Sequence, residues 1–136
     1  GNITTVTDLD KCAGNKALAE GFMRTVVLQD SIERFPDFAD TVSYTEHNPY
    51  IQEGMMAMLL LFADGGQSIV PSTIHKVLGE GDYVLVVSEK SVDGVAKSAL
   101  YDLFRFSSGK IVEHWNILEA IPPQSAWKNA NGKFGF

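Results

Sequence analysis

Asp102-Leu-Phe-Arg-Phe106 is followed by Ser107-Ser-Gly109 and then by Lys110-Ile-Val-Glu-His-Trp-Asn116. Both flanking segments alternate apolar and polar residues, and Ser-Ser-Gly is typical of a turn, so this stretch predicts a β-hairpin. Because strand side chains alternate between faces, Asp102 shares a face with Phe104, and His114 shares one with Asn116 and Leu118. A carboxylate, an imidazole and an amide are therefore expected to converge on one surface. Such convergence is typical of a pocket, and also of a few satisfied buried polar groups.

The bulk properties indicate one ordinary globular domain over residues 1–136. The chain has a formal net charge of −6, with 45% hydrophobic and 21% charged residues. Its eleven Lys and Arg residues are scattered, which argues against nucleic-acid binding because phosphate contacts need clustered positive charge. The longest apolar run, Met55–Ala63, is too short to cross a bilayer, so no membrane partner is expected.

Cysteine usage and the N-terminus leave the compartment open. Cys12 is the single cysteine, so the sequence has no internal disulfide and no cysteine-rich metal site. The sequence begins with Gly rather than Met, which is compatible with removal of a leader. The localisation is therefore unassigned between the cytoplasm and, if a leader was removed, the periplasm or the cell exterior.

The predicted elements are helices first and an antiparallel meander afterwards. Residues 1–14 are expected to be a loose N-terminus and residues 122–136 a tail. Between them we expect helices over Lys16–Leu28, from Ser31 and over Met55–Ala63, and strands over Thr41–His47, Ser68–Leu78, Tyr83–Ser91, Val95–Phe106 and Lys110–Ile121. This order predicts an α+β domain whose N-terminal helices pack on one face of a curved antiparallel sheet with a pocket at its open end.

Four segments carry a resemblance to a known family. They are Glu46-His-Asn-Pro49, Gly79-Glu-Gly-Asp82, Tyr101-Asp-Leu-Phe-Arg105 and Gly109-Lys-Ile-Val-Glu-His-Trp-Asn116. Together with the element order and the closing Trp127–Phe134, they resemble the SnoaL-like polyketide cyclase and aldol-condensation family, which has the cone-shaped nuclear transport factor 2-like fold. The resemblance implies a homodimer formed through the sheets and no metal or organic cofactor. It also implies aldol or proton-transfer chemistry in which a carboxylate or an imidazole takes the proton.

A second likeness and one departure bear on the chemistry. The Asp102-x-x-Arg105 strand resembles ketosteroid isomerase, in which a protonated Asp on the matching strand donates to an oxyanion and the base lies just before a proline, near His47 here. In the SnoaL-like pattern an Asp usually stands where this chain has Asn116. An amide orients a substrate but cannot act as a general base near neutral pH. Glu46 is a smaller departure, because Gln is common there.

The predicted catalytic residues are His47, Asp102, His114 and Asn116. His47 or His114 is the expected base because imidazole titrates near ~6.5, while Asp102 (protonated) and Asn116 are expected to hydrogen-bond an enolate oxygen. The predicted substrate-binding residues are Tyr44, Met58, Phe62, His75, Phe104 and Leu118. The three histidines lack the short spacing of zinc sites, so no metal is expected.

Several interpretations stay open at the level of sequence. The first is a cofactor-independent cyclase or isomerase acting on a small apolar or aromatic carbonyl compound. The second is a non-catalytic small-molecule-binding protein, which Asn116 favours. The third is epoxide hydrolysis by an Asp–Arg–Asp set, for which only Asp102 and Arg105 are evident. Alternation places those two residues on opposite faces, so a structural or interface role is favoured for Arg105.

Each of the two histidines also has a structural interpretation without a catalytic role. His47 would be a turn residue, and His114 would be a core residue. Trp115 and Ile117 form an outward apolar stripe on their strand and need cover, which predicts a homodimer.

Overall fold

The computed structural model describes residues 5–49 and 71–136, and its N-terminal part is helical. A 3-10 turn, Leu9–Lys11, leads into α1, Cys12–Phe22, which continues as a π-helical segment, Met23–Leu28. A second 3-10 turn, Ile32–Arg34, precedes α2, Phe35–Phe38. Pro36 is tolerated at the start of α2 because N–H groups in the first turn have no partner within the helix.

Within residues 5–49 and 71–136, five strands form one sheet in the order β1-β5-β4-β3-β2. Their bounds are β1 Thr45–Glu46, β2 Thr73–Glu80, β3 Tyr83–Val92, β4 Val95–Ser107 and β5 Lys110–Ala120, and a 3-10 turn, Gln124–Ala126, follows. The meander from β2 to β5 is antiparallel as predicted, but β1 runs parallel to β5, so the sheet is mixed. The predicted helix Met55–Ala63 and the start of the predicted strand Ser68–Leu78 lie outside the described residues.

The helices cover one face of the sheet, which we call the inner face. Phe22 of α1 packs edge-on against Phe104 of β4 and against Phe35 of α2, with ring centroids 5.5 and 5.8 Å apart. Burial of such side chains stabilises the fold by roughly 1.5–3 kcal/mol each. Strand register puts these residues on the inner face: Val84, Val86, Ser88, Leu100, Asp102, Phe104, His114, Asn116 and Leu118. The outer face carries Tyr83, Leu85, Tyr101, Leu103, Arg105, Glu113, Trp115 and Ile117.

The N-terminal segment is tied to the turn between β2 and β3. The Thr7 N–H donates to Oδ1 of Asp82 at 2.9 Å, and the Asp82 N–H donates to the Thr7 carbonyl at 3.0 Å. Gly81 has a φ of +58°, and a Cβ there would lie 2.0 Å from the Thr7 oxygen, so this approach requires glycine. The expectation of a loose segment over residues 1–14 therefore fails from Thr7 onward.

The tail after β5 folds back onto the sheet. The Phe134 ring stacks on His75 at 4.3 Å between centroids, and the Lys133 ammonium donates to Glu119 at 2.7 Å. The indole N–H of Trp127 donates to the Pro122 carbonyl at 2.8 Å. These contacts give the aromatic residues of the tail a packing role.

Candidate active site

Four side chains form a continuous hydrogen-bonded chain on the inner face. Nε2 of His114 lies 2.8 Å from Oδ1 of Asp102, and Nδ1 lies 2.9 Å from Oε2 of Glu46. The Tyr44 hydroxyl donates to the same Glu46 oxygen at 2.6 Å. The side chains of His114, Glu46 and Asp102 are only 5%, 0% and 9% exposed. The Glu46–His114–Asp102 triad is therefore a buried polar cluster joining β1, β5 and β4.

The pairing of β1 with β5 assembles this triad. Glu46 lies opposite His114 in the register, and the His47 N–H donates to the His114 carbonyl at 2.9 Å. The Asn48 N–H donates to Oε1 of Glu46 at 3.0 Å, which fixes that carboxylate. On the other side, Phe104 is the β4 partner of His114, and the two rings stack at 4.9 Å. The imidazole is therefore held by neighbours from both adjacent strands.

The triad carries a positively charged histidine between two carboxylates. Burial alone would lower the pKa of His114, but its hydrogen bonds to Asp102 and Glu46 raise that pKa to about 9. Burial alone would raise the pKa of Glu46, but the His114 and Tyr44 hydrogen bonds leave it below its ordinary value. A protonated imidazole donates from both nitrogens, so Asp102 accepts a hydrogen bond here. This differs from the expected roles of His114 as base and Asp102 as protonated donor.

The inner face becomes more exposed along β5 beyond the triad. His114 is buried, Asn116 is half-buried, and Leu118 is 50% exposed. Asn116 lies opposite Asp102 in the register, so its amide neighbours the carboxylate at this boundary. Asp102 is thus the triad member nearest to the exposed part of β5. An amide donor beside a carboxylate acceptor is an arrangement that can bind a polarised carbonyl compound.

His47 belongs to a second cluster, on the outer face. Its Nε2 lies 2.8 Å from Oε2 of Glu113, and its ring stacks on Trp115 with centroids 4.6 Å apart. Arg105 donates to the other Glu113 oxygen from Nε at 2.6 Å. Burial would raise the pKa of Glu113, but hydrogen bonds from His47 and Arg105 hold it below its usual value. The sheet therefore separates His47 from Asp102, His114 and Asn116.

Comparison with known proteins identifies the fold. No family model matches the sequence, and no curated protein matches it. A putative ketosteroid isomerase from Kribbella flavida matches the structure with a TM-score of 0.67 and 13% identity, over 91% of this chain and 95% of that chain. A nuclear transport factor 2-like protein of unknown function from Burkholderia xenovorans matches with a TM-score of 0.65 and 16% identity, over 88% and 97%. The chain has the nuclear transport factor 2-like fold.

A third match to this nuclear transport factor 2-like fold is a putative polyketide cyclase from Acidithiobacillus ferrooxidans. Its TM-score is 0.57 at 16% identity, and the match covers 77% of this chain and 87% of that chain. These matches confirm the predicted fold class.

Among the predicted site residues, the inner face brings together Tyr44, Asp102, Phe104, His114, Asn116 and Leu118. His75 and His47 are not part of this group. The His75 ring stacks on Phe134, and its Nε2 lies 2.9 Å from Oε1 of Glu89. His47 lies on the outer face. Met58 and Phe62 lie outside the described residues. Arg105 and Asp102 are on opposite faces, as alternation predicts, so they do not form one Asp–Arg set.

Glu46 is the participant that the sequence prediction missed. Strand alternation offered a signal, because Tyr44 and Glu46 share a face in Tyr44-Thr-Glu-His47 and His47 does not. In the described ranges, 5–49 and 71–136, no group of three His, Cys, Asp or Glu side chains is arranged to hold a metal ion. None of the helices described is long and apolar enough to cross a membrane.

Proposed function

We propose that the protein is a SnoaL-like enzyme of the cyclase or isomerase type. It acts by cofactor-independent proton transfer on a small apolar or aromatic carbonyl compound bound at the inner face. The observation that carries this proposal is the buried triad, which ends in Asp102 opposite Asn116, where β5 becomes exposed. Two of the matched structures are named for ketosteroids and polyketides, which are ketone-bearing compounds, and this supports the substrate class.

Asp102 is the proton acceptor in this mechanism. Oδ1 accepts from His114, and Oδ2 takes the proton from the carbon next to the substrate carbonyl. As that C–H bond breaks, its electron pair moves onto the carbonyl oxygen, where the Asn116 amide donates a hydrogen bond to the forming enolate. The proton then returns to another carbon in an isomerisation. In an aldol closure the enolate carbon attacks a second carbonyl and the proton goes to the new alkoxide.

His114 and Glu46 are positioning residues in this scheme. With a pKa of about 9, His114 is a cation at neutral pH, and the hydrogen bond from its Nε2 orients Asp102. The pKa of Glu46 lies below its ordinary value, so Glu46 is a carboxylate at neutral pH. Its negative charge balances the positive charge of His114 when Asp102 accepts a proton. The group that takes the substrate proton is therefore a carboxylate rather than an imidazole.

Proton exchange on a simple ketone tests this proposal without knowledge of the natural substrate. The probe is 2-tetralone in D2O, whose activated C–H hydrogens are followed by NMR. We expect the protein to accelerate exchange and Asp102→Asn to lower the acceleration by roughly 10²–10⁴-fold. Asp37→Asn is the matched control, because the Asp37 side chain is exposed and its carboxylate pairs with Arg34, away from the triad. Equal exchange by wild type and Asp102→Asn would overturn the assignment.

A second candidate function is ligand binding without turnover. Asn116 favours it, because the half-buried amide stands where the resembling family keeps an acid. This function predicts tight binding of an enolate mimic such as 2-naphthol and no acceleration of 2-tetralone exchange at any pH. Epoxide hydrolysis ranks last, because Arg105 pairs with Glu113 across the sheet from Asp102.

We also propose that the outer face is the contact surface of a homodimer. A groove of about 250 Å³ runs between β2, β3 and β4 and is lined by Leu78, Gly79, Glu80, Tyr83, Leu85 and Leu103. Ile117 is 66% exposed on the same face, beside the Trp115 that stacks on His47. A second copy of this chain would cover this apolar surface.

A further inference from the structure

Ser88 is a fully buried hydroxyl on the inner face. The residue is 0% exposed, and its neighbours on that face, Val86 and Leu100, are 0% and 3% exposed. In the part of the chain that the structure describes, Ser88 Oγ is the single buried side-chain oxygen or nitrogen with no hydrogen-bond partner. A buried hydroxyl without a partner costs free energy, and native proteins keep few of them. Its position therefore needs an explanation.

The strand register places Ser88 near the proposed reaction centre. Val86 lies opposite Asp102, and Ser88 lies opposite Leu100, one inner-face position further along β3. Such diagonal neighbours are separated by about 7–8 Å. Asn116 lies on the other side of Asp102, opposite it on β5. Three consecutive strands thus present Ser88, Asp102 and Asn116 on one face.

The other buried polar side chains of this region are satisfied within the protein. Glu46 accepts from Tyr44 and His114, and His114 donates to Asp102. Ser88 differs because its adjacent inner-face neighbours, Val86 on β3 and Leu100 on β4, are apolar, and its Oγ makes no hydrogen bond to the diagonal Asp102. A hydroxyl can both donate and accept, so it can pair with either a carbonyl or a hydroxyl group.

We infer that Ser88 is a specificity-determining residue that binds a second oxygen of the substrate. This inference rests on the proposed function and narrows its substrate class. The ligand carries a hydroxyl or carbonyl group about one fused ring away from the carbonyl that Asn116 and Asp102 engage. Because Ser88 is covered in the free protein, the ligand must displace the side chains over it to reach the hydroxyl. The resulting hydrogen bond forms in a site without water. A ligand that lacks the second oxygen would leave the Ser88 hydroxyl unpaired there, which lowers its affinity most.

Two phenols that differ by one oxygen test the inference. The probes are 2-naphthol and 2,7-dihydroxynaphthalene, and calorimetry gives Kd for both with wild type, Ser88→Ala and the exposed control Ser107→Ala. We expect wild type and Ser107→Ala to prefer the diol by roughly tenfold, as one net hydrogen bond provides. Ser88→Ala should lose that preference, bind 2-naphthol as before, and unfold at an equal or higher temperature because the unpaired hydroxyl is gone.

The outcomes separate this inference from the proposed function. An unchanged preference in Ser88→Ala, or no preference in wild type that still exchanges 2-tetralone protons, overturns the role of Ser88 alone. If wild type binds neither phenol and exchanges no protons, both the role of Ser88 and the proposed function fail. A Ser88→Ala protein that keeps its Tm and its affinity for 2-naphthol but loses the diol preference supports the inference.

Discussion

Nε2 of His114 lies 2.8 Å from Oδ1 of Asp102, and the opposite ring nitrogen lies 2.9 Å from Glu46. Both ring nitrogens therefore donate to carboxylates, and the pKa of His114 rises to about 9. At neutral pH the cluster is one cation between two buried anions. Removing one member leaves a charge without its partner, which costs far more than the loss of an exposed ion pair.

The stability of the protein should fall as the pH rises from about 6.5 to 9. The folded pKa of His114, about 9, lies above the ordinary value of 6.5. Its stabilisation is therefore fully present below pH 6.5 and is lost as the pH rises through 9. A pKa shift of this size corresponds to about 3 kcal/mol in the free energy of unfolding. Urea unfolding across this range measures it, and a flat free energy of unfolding would contradict the charged triad.

A double-mutant cycle should show that His114 and Glu46 are coupled. His114→Gln alone should cost about 3–5 kcal/mol at pH 7, because it leaves two buried carboxylates without their cation. Adding Glu46→Gln should recover part of the lost free energy of unfolding, because it removes one of the two unpaired carboxylates. Urea unfolding of the two single variants and the double variant measures the coupling. Additive effects would mean that the two side chains do not interact as the 2.9 Å contact indicates.

The hairpin was predictable because its determinants are local. Alternation along each strand puts Asp102 on one face with Phe104 and His114 on one face with Asn116, as the structure has them. The cross-strand register, with Asp102 opposite Asn116, also depends on the irregularity between Arg105 and Phe106, which the turn residues do not reveal. The triad was not predictable, because Glu46 reaches His114 through a parallel pairing of segments far apart in sequence. The charge of His114 depends on that second carboxylate, so its role also could not be derived from the hairpin. Alternation in β1 would have excluded His47 from the inner face.

Asn116→Asp should make the rate of proton exchange fall as the pH rises. The introduced carboxyl lies opposite Asp102, and two neighbouring carboxyls raise the pKa of one of them. When protonated, the new group can replace the amide as a donor to the enolate oxygen, and when ionised it cannot. Exchange of 2-tetralone by Asn116→Asp should therefore fall as the pH rises, by roughly 10²–10³-fold relative to wild type at high pH.

The opposite result would favour the second candidate function. If wild type is inactive and Asn116→Asp gains exchange at high pH, the new carboxylate is itself the base. Asn116 would then mark a protein that binds a ligand and has lost its proton acceptor. Asn131→Asp is the matched control, because Asn131 lies in the exposed tail.

A charge at the centre of the outer face should dissociate the proposed homodimer. Leu103 lies opposite Trp115 in the register and lines the 250 Å³ groove with Tyr83 and Leu85. Leu103→Lys would bury an unpaired ammonium in the dimer, whereas in the monomer that group points to solvent. Sedimentation velocity at micromolar concentration should show a dimer for wild type and a monomer for Leu103→Lys. Val42→Lys, at a turn residue that is 92% exposed, should leave the dimer intact. A wild-type monomer, or a Leu103→Lys dimer, would mean that this face is not the contact surface.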